Sequence, residues 1–288
     1  MGIAEKLNQT RNHIVYETAF ADMLKRMKNW RYIEPSKKFF GMHQGDADRI
    51  CSFLSDQESK RLYTGIIKSR EVYKFRYNEF YDAESKQYFI PPVVKTLRKP
   101  DNITFVDCGA FTGDTIEDFL AVRGGDSQIV AFEPDEENYD ILARAYGTKE
   151  NISLYNTGVW SEDGTIGFVA GQGSGSKVIS VGDAEKFREY GVEETIPVKS
   201  IDGLNLQGKI FIKMDIEGSE QAALRGAEQT IRRWKPMLAI CIYHSNDDMI
   251  KIPLYLHEIY QNDADYYIRH HTKYFADTVF YVIPKAMQ

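Results

Sequence analysis

Two patterns of apolar spacing divide the chain. Through the first hundred residues, apolar positions recur three and four apart, at Ile14, Val15, Phe20, Met23, Leu24, Met27 and Trp30, then at Ile50, Phe53 and Leu54. That spacing predicts amphipathic helices. Ser55 followed by Glu58 has the form of a capping box and predicts a helix running to about Tyr77. The stretch from Tyr81 to Pro92 reads as a connection into a short helix that ends near Lys99 and Pro100. From residue 101, short apolar runs alternate with helical spacing, which predicts an α/β protein with a mostly parallel sheet. Strands are expected at Ile103–Asp107, Ile129–Glu133, Ile152–Asn156, Lys209–Asp215, Met237–Tyr243, Asp265–His271 and Thr278–Ile283. Helices are expected at about 112–122, 135–146, 217–234 and 247–261. An insertion at about 160–200 interrupts the alternation. It carries short strands at Thr165–Val169, Val178–Val181 and Thr195–Lys199, joined by a Gly/Ser-rich run over 171–176. The chain therefore divides into a helical N-terminal region, 1–100, and a sheet domain, 101–288.

The polar residues that interrupt this pattern gather at strand ends. The first strand runs into F-V-D-C-G-A-F-T-G-D, where Asp107 closes the strand, a Gly-containing turn follows, and Asp114 lies at the start of a helix. Backbone N–H groups and a helix start at the carboxyl edge of a sheet form a nucleotide-like binding place, with Gly109 and Gly113 letting backbone approach a ligand. The dinucleotide fingerprint G-x-G-x-x-G is absent, and two carboxylates in the turn would repel a pyrophosphate. They suit an ammonium or a sulfonium, which favours S-adenosylmethionine over a nicotinamide cofactor. Glu133 and Pro134 close the second strand, where an acid can accept both hydroxyls of a ribose.

The fourth strand ends I-K-M-D-I-E-G-S-E and the fifth C-I-Y-H, bringing Asp215, Glu217 and His244 to the same edge. An imidazole there could take a proton from a substrate hydroxyl, with Glu217 orienting it or the substrate. Capping of the following helices is the plainer role for the acids. Mixed carboxylate and imidazole ligands at Asp215, Glu217 and His244 would allow a metal, but no spacing demands it and the acids have other work, so none is assigned. His270 and His271 are strand neighbours that face opposite ways.

Composition narrows the class. At 43% hydrophobic and 27% charged the chain is an ordinary folded protein, and its longest apolar run, Met237 to Tyr243, is far too short to span a bilayer. Three widely spaced cysteines and no apolar leader fit a cytoplasmic protein without a disulfide framework. A net charge of −6 argues against coating nucleic acid. The charge is uneven: residues 1–100 hold 19 Lys/Arg against 12 Asp/Glu. That basic balance favours an anionic small-molecule or glycan acceptor. The sequence leaves oligomeric state undetermined.

Taken in order, D-C-G-A-F-T-G-D, A-F-E-P-D, I-K-M-D-I-E-G-S-E and C-I-Y-H resemble the FkbM family of S-adenosylmethionine-dependent methyltransferases over about 103–245. Phe111 stands where the general methyltransferase pattern has a third glycine, a departure the FkbM pattern tolerates. The resemblance implies the class I (Rossmann-like) fold of seven strands, the last antiparallel, with helices on both faces. It also implies O-methylation of a hydroxyl on a sugar, glycan or secondary metabolite. Asp107, Gly109, Ala110 and Gly113 would line the methionine end of the cofactor, Glu133 would hold its ribose, and the segment containing Asn156 and Val159 would pass the adenine. Asp215, Glu217 and His244 fall at family positions near the transferred methyl. Gln87 and Tyr88, in Q-Y-F, would close over the cofactor. Two rival readings are a nicotinamide-dependent oxidoreductase and a cofactor-binding module without catalysis.

Overall fold

A computed structural model describes residues 33–72, 80–82, 84–99, 101–125, 127–169, 177–179, 194–273 and 276–288. The apolar series from Ile14 to Trp30 and the run 171–176 lie outside the described residues.

The strands in chain order are β1 (Ile103–Cys108), β2 (Ile129–Phe132), β3 (Ile152–Tyr155), β4 (Gly158–Val159), β5 (Gly164–Val169), β6 (Lys177–Ile179), β7 (Glu194–Lys199), β8 (Lys209–Met214), β9 (Met237–Cys241), β10 (Ala264–His270) and β11 (Thr278–Pro284). Seven of them form one sheet in the order β10-β11-β9-β8-β1-β2-β3. β11 runs antiparallel to both its neighbours, and the pairs from β9 across to β3 are parallel. β1, β8, β9 and β11 are buried along nearly their whole length, which is why they read as continuous apolar runs and not as alternating ones. Strand order reverses between β1, which leads to β2, and β8, which leads to β9. The carboxyl ends of these two strands therefore open a crevice that neither crossover covers. The insertion forms a second sheet in the order β4-β7-β5-β6. Its member β4 is too short to show in the hydrophobic pattern.

The helices are α1 (Ile33–Met42), α2 (Gln44–Phe53), α3 (Gln57–Val72), α4 (Pro91–Leu97), α5 (Asp114–Arg123), α6 (Glu136–Tyr146), α7 (Glu220–Arg225), α8 (Glu228–Trp234) and α9 (Asn246–Tyr260). Among the described residues, none is long and apolar enough to cross a membrane. The first three share one core with the sheet: Phe40, Ile50, Leu62 and Tyr63 pack in the same cluster as Leu256, Tyr266 and Ile268. Arg70 on α3 reaches the end of β9, donating to the Tyr243 carbonyl at 2.6 Å and to Asn246 Oδ1 at 3.0 Å.

Two local expectations are corrected. Ser55 does not cap α3; Asp56 Oδ1 accepts the Ser59 N–H at 2.7 Å, while Ser55 Oγ accepts the Tyr266 N–H. The single helix expected over 217–234 is two. Glu217 and Gly218 have positive φ, which delays the start. The Asp202 carboxylate then accepts the N–H groups of Gln229 and Thr230, so a new N-terminus opens in mid-run. Gly226 sits at the break because a Cβ there would lie 2.1 Å from the Trp160 carbonyl oxygen.

Candidate active site

The turn after β1 is shaped by its neighbours. Gly109 (φ +83°) leaves no room for a side chain: a Cβ would fall 2.1 Å from the Asp215 carbonyl oxygen. Gly113 (φ +96°) makes space for the Tyr146 ring and is the N-cap of α5. The N–H groups of Gly109 and Ala110 both donate to the Phe132 carbonyl, which draws the turn over the end of β2. Both glycines thus serve packing within the fold, a demand the sequence pattern does not separate from ligand approach.

A cleft of about 970 Å³ opens at this edge. Gln87, Tyr88, Gly109, Asp114, Glu133, Pro134, Val159, Asp215 and Glu217 line it, together with Ile166, Ile196 and Val198 from the insertion. Asp107, Ala110, Gly113, Asn156 and His244 are not among its lining residues. Asp107 is fully buried and paired with Lys213, Oδ1 to Nζ 3.1 Å, and Lys213 also donates to the Gly109 carbonyl at 2.6 Å. Burial pushes Asp107 up to about 6, against the pull of Lys213, whose own pKa is raised by Asp107 and Asp215 despite burial. Asn156 donates to the carbonyls of Glu133 and Pro134 and fixes the loop after β2.

Glu133 is held at the cleft wall by two backbone donors: Phe111 N–H to Oε2 at 2.8 Å and Asp135 N–H to Oε1 at 3.0 Å. A carboxylate oxygen with one such donor still has a lone pair to offer. Tyr88, at φ +67°, donates its hydroxyl to Asp215 Oδ2 at 2.7 Å and accepts from Gln87 Nε2 at 2.8 Å, with Lys213 Nζ 5.1 Å from its ring centroid. Tyr243 donates to the other Asp215 oxygen at 3.0 Å. Burial raises the Cys108 and Cys241 thiols well above their ordinary values, so neither is a nucleophile.

His244 lies among three carboxylates. Its Nε2 is 3.6 Å from Asp215 Oδ1 and 3.5 Å from Glu217 Oε2; its Nδ1 is 3.2 Å from Glu220 Oε1. Burial alone would push its pKa down, but Glu217, Glu220 and Asp215 outweigh that and hold it up to about 10. An imidazole charged at pH 7 has no lone pair with which to accept a proton, which conflicts with the base role expected for it. Asp277 faces the same cluster; burial and the Asp215 charge raise it to about 6. The structure does bring Asp215, Glu217 and His244 together, with one ligand atom from each within 4.8 Å of the others.

Sequence reasoning missed Lys213 and Glu220. Lys213 carries a signal, a lone cation inside the apolar run I-F-I-K-M. Glu220 looks like any acid in a first helical turn, and only its complete burial sets it apart.

The sheet order is that of the class I methyltransferase fold. The chain belongs to the FkbM methyltransferase family: the methyltransferase FkbM domain matches residues 107–274. Family and fold are those of methyltransferases that use S-adenosylmethionine. The chain is similar to the crystal structure of methyltransferase FkbM from Methylobacillus flagellatus, at 26% identity and a TM-score of 0.68, over 85% of this chain and 60% of that one. It thus spans less than two thirds of that protein's length. It is more weakly similar to an rRNA methylase from Streptococcus thermophilus, at 15% identity and a TM-score of 0.41, over 71% of this chain and 99% of that one. Aeropyrum pernix fibrillarin in complex with S-adenosyl-L-methionine gives 14% identity and a TM-score of 0.35, over 65% and 68%. No curated protein matches the chain.

Proposed function

We propose that the protein transfers a methyl group from S-adenosylmethionine to a hydroxyl oxygen of a sugar, glycan or secondary metabolite. The observation that carries this reading is one cleft lined together by Gly109, Glu133, Asp215 and Glu217. When bound, S-adenosylmethionine supplies a methyl group on a positively charged sulfur, and its transfer to a hydroxyl leaves S-adenosylhomocysteine and releases the hydroxyl proton. Glu133, preset by two backbone donors, accepts the ribose hydroxyls. Pro134, Val159 and the apolar side chains of Ile166, Ile196 and Val198, all in the cleft lining, would hold the adenine. Asp215, turned by Tyr88 and Tyr243, and Asp114 set a negative potential for the ammonium and sulfonium charges. Asp107 works from behind: through Lys213 it fixes the Gly109 carbonyl and with it the turn.

The chain's contribution to rate is alignment of acceptor oxygen against methyl carbon. Glu217 is 90% exposed, and its only ionic neighbour among the described residues is His244, so it receives the hydroxyl proton while His244 holds it in place. The basic balance of the first hundred residues supports an acceptor with an anionic group remote from the carboxylate cluster.

The test is transfer of label from methyl-labelled S-adenosylmethionine to a panel of glycosides, nucleotide sugars and polyhydroxylated metabolites, with amines and RNA alongside. Label on oxygen supports the reading; label confined to nitrogen, carbon or RNA refutes it.

A further inference from the structure

We infer that Asp215, Glu217 and His244 form a binding site for one divalent metal ion. Its role as a clamp on the acceptor oxygen rests on the methyltransferase reading above; its existence does not.

The His244 side chain is nine-tenths buried, yet neither ring nitrogen has a hydrogen-bond partner among the described residues. An orphaned buried nitrogen is costly unless something else satisfies it. Nε2 is aimed between two carboxylates at 3.5 and 3.6 Å. Charge-assisted N–H···O bonds close to about 2.7–2.9 Å, so both contacts are long for hydrogen bonds. They are right for atoms sharing an ion: ligands about 2.1 Å from a common metal stand about 3–3.5 Å apart.

The other side of the ring completes the pattern. Nδ1 faces Glu220 Oε1 at 3.2 Å, and that fully buried carboxylate is itself fixed by the Ile216 N–H at 2.9 Å. The charge contact with Nδ1, which does not meet hydrogen-bond geometry, puts a carboxylate on the side of the ring away from Nε2, where a metal-bound imidazole usually has one. Charge points the same way. Asp215, Glu217, Glu220 and Asp277 outnumber the neighbouring cations Lys213 and His244, and an ion at Nε2 replaces a single proton with two positive charges. Two carboxylates, which suit Mn²⁺ and Mg²⁺, join here with one imidazole, which suits Zn²⁺. Glu217, through its exposure, leaves coordination positions open toward the cleft, where a hydroxyl oxygen can enter. Its second oxygen remains to take the proton.

The experiment uses the full chain, stripped with chelator, and follows disappearance of the free Mn²⁺ resonance signal, with Zn²⁺ and Mg²⁺ as competitors. S-adenosylhomocysteine binding is measured on the same samples. One Mn²⁺ per chain is expected, with affinity reduced at least tenfold in Glu217→Gln and lost in His244→Gln. A protein that binds S-adenosylhomocysteine but none of the three ions overturns the site and leaves the methyltransferase reading standing. Metal binding that both variants retain also overturns it. Metal binding without cofactor binding supports the site and refutes the wider reading.

Discussion

Replacing Lys213 with methionine isolates the interaction that holds the turn after β1. The substitution keeps the length and apolar stem of the side chain but removes the partner of Asp107, whose carboxylate is fully buried. No other side chain reaches that carboxylate as a hydrogen-bond donor among the described residues. Breaking one half of a buried pair costs about 3–5 kcal/mol, because the remaining charge is left without compensation. The chain has an alternative: Asp107 can stay protonated. Already raised to about 6 with Lys213 present, it rises further without it. A carboxyl whose pKa in the fold exceeds its unfolded value favours folding below the unfolded pKa. That contribution is lost as pH rises toward the folded pKa, at up to about 1.4 kcal/mol per pH unit. Urea unfolding of Lys213→Met at pH 5 and pH 8 should therefore show a deficit against the parent protein that is smaller at pH 5. Adding Asp107→Asn should recover roughly half of the loss at pH 8, a coupling that only directly interacting residues show. A deficit under about 1 kcal/mol at pH 8, or equal deficits at both pH values, would refute the reasoning.

Three further outcomes are expected. His271 is driven down to about 4 by burial, so it is neutral in the fold and bonds Tyr281; stability should be present above pH 6.5 and fall by up to about 3 kcal/mol as pH drops to 4, with His271→Gln flattening that slope in pH-dependent urea melts. Gly226→Ala forces a methyl onto the Trp160 carbonyl and should lower the urea midpoint by the equivalent of about 1–3 kcal/mol; an unchanged midpoint would mean the loop moves freely. Tyr88→Phe keeps the ring near Lys213 but strips Asp215 Oδ2 of its donor, with an expected loss of about 1–2 kcal/mol in thermal melts.

The sheet was legible because strands buried on both faces are apolar throughout, and β1, β8, β9 and β11 are such strands. Glu133 and Asp215, just past β2 and β8, line the cleft and stand out in the sequence because each stops an apolar run, while Asp107 at the end of β1 stands out equally but is buried against Lys213. The broken helix at Gly226 was not legible, since its cause is a carboxylate at Asp202 and a carbonyl at Trp160, both distant in sequence. Ser55 and Glu58 match a local capping pattern, but Tyr266 claims the Ser55 hydroxyl from 211 residues away. At the site, residue types were readable and their electrostatic states were not. His244 reads as a base until Glu220, hidden in a helix start, is found against its ring.

Titration calorimetry with S-adenosylhomocysteine, run beside NADH, tests the central claim most directly. The parent protein should bind one equivalent of S-adenosylhomocysteine and no NADH, and Glu133→Ala should weaken binding at least tenfold by removing the acceptor at the tip of β2. Binding of NADH in place of S-adenosylhomocysteine, or affinity untouched by Glu133→Ala, would contradict the assignment of this cleft.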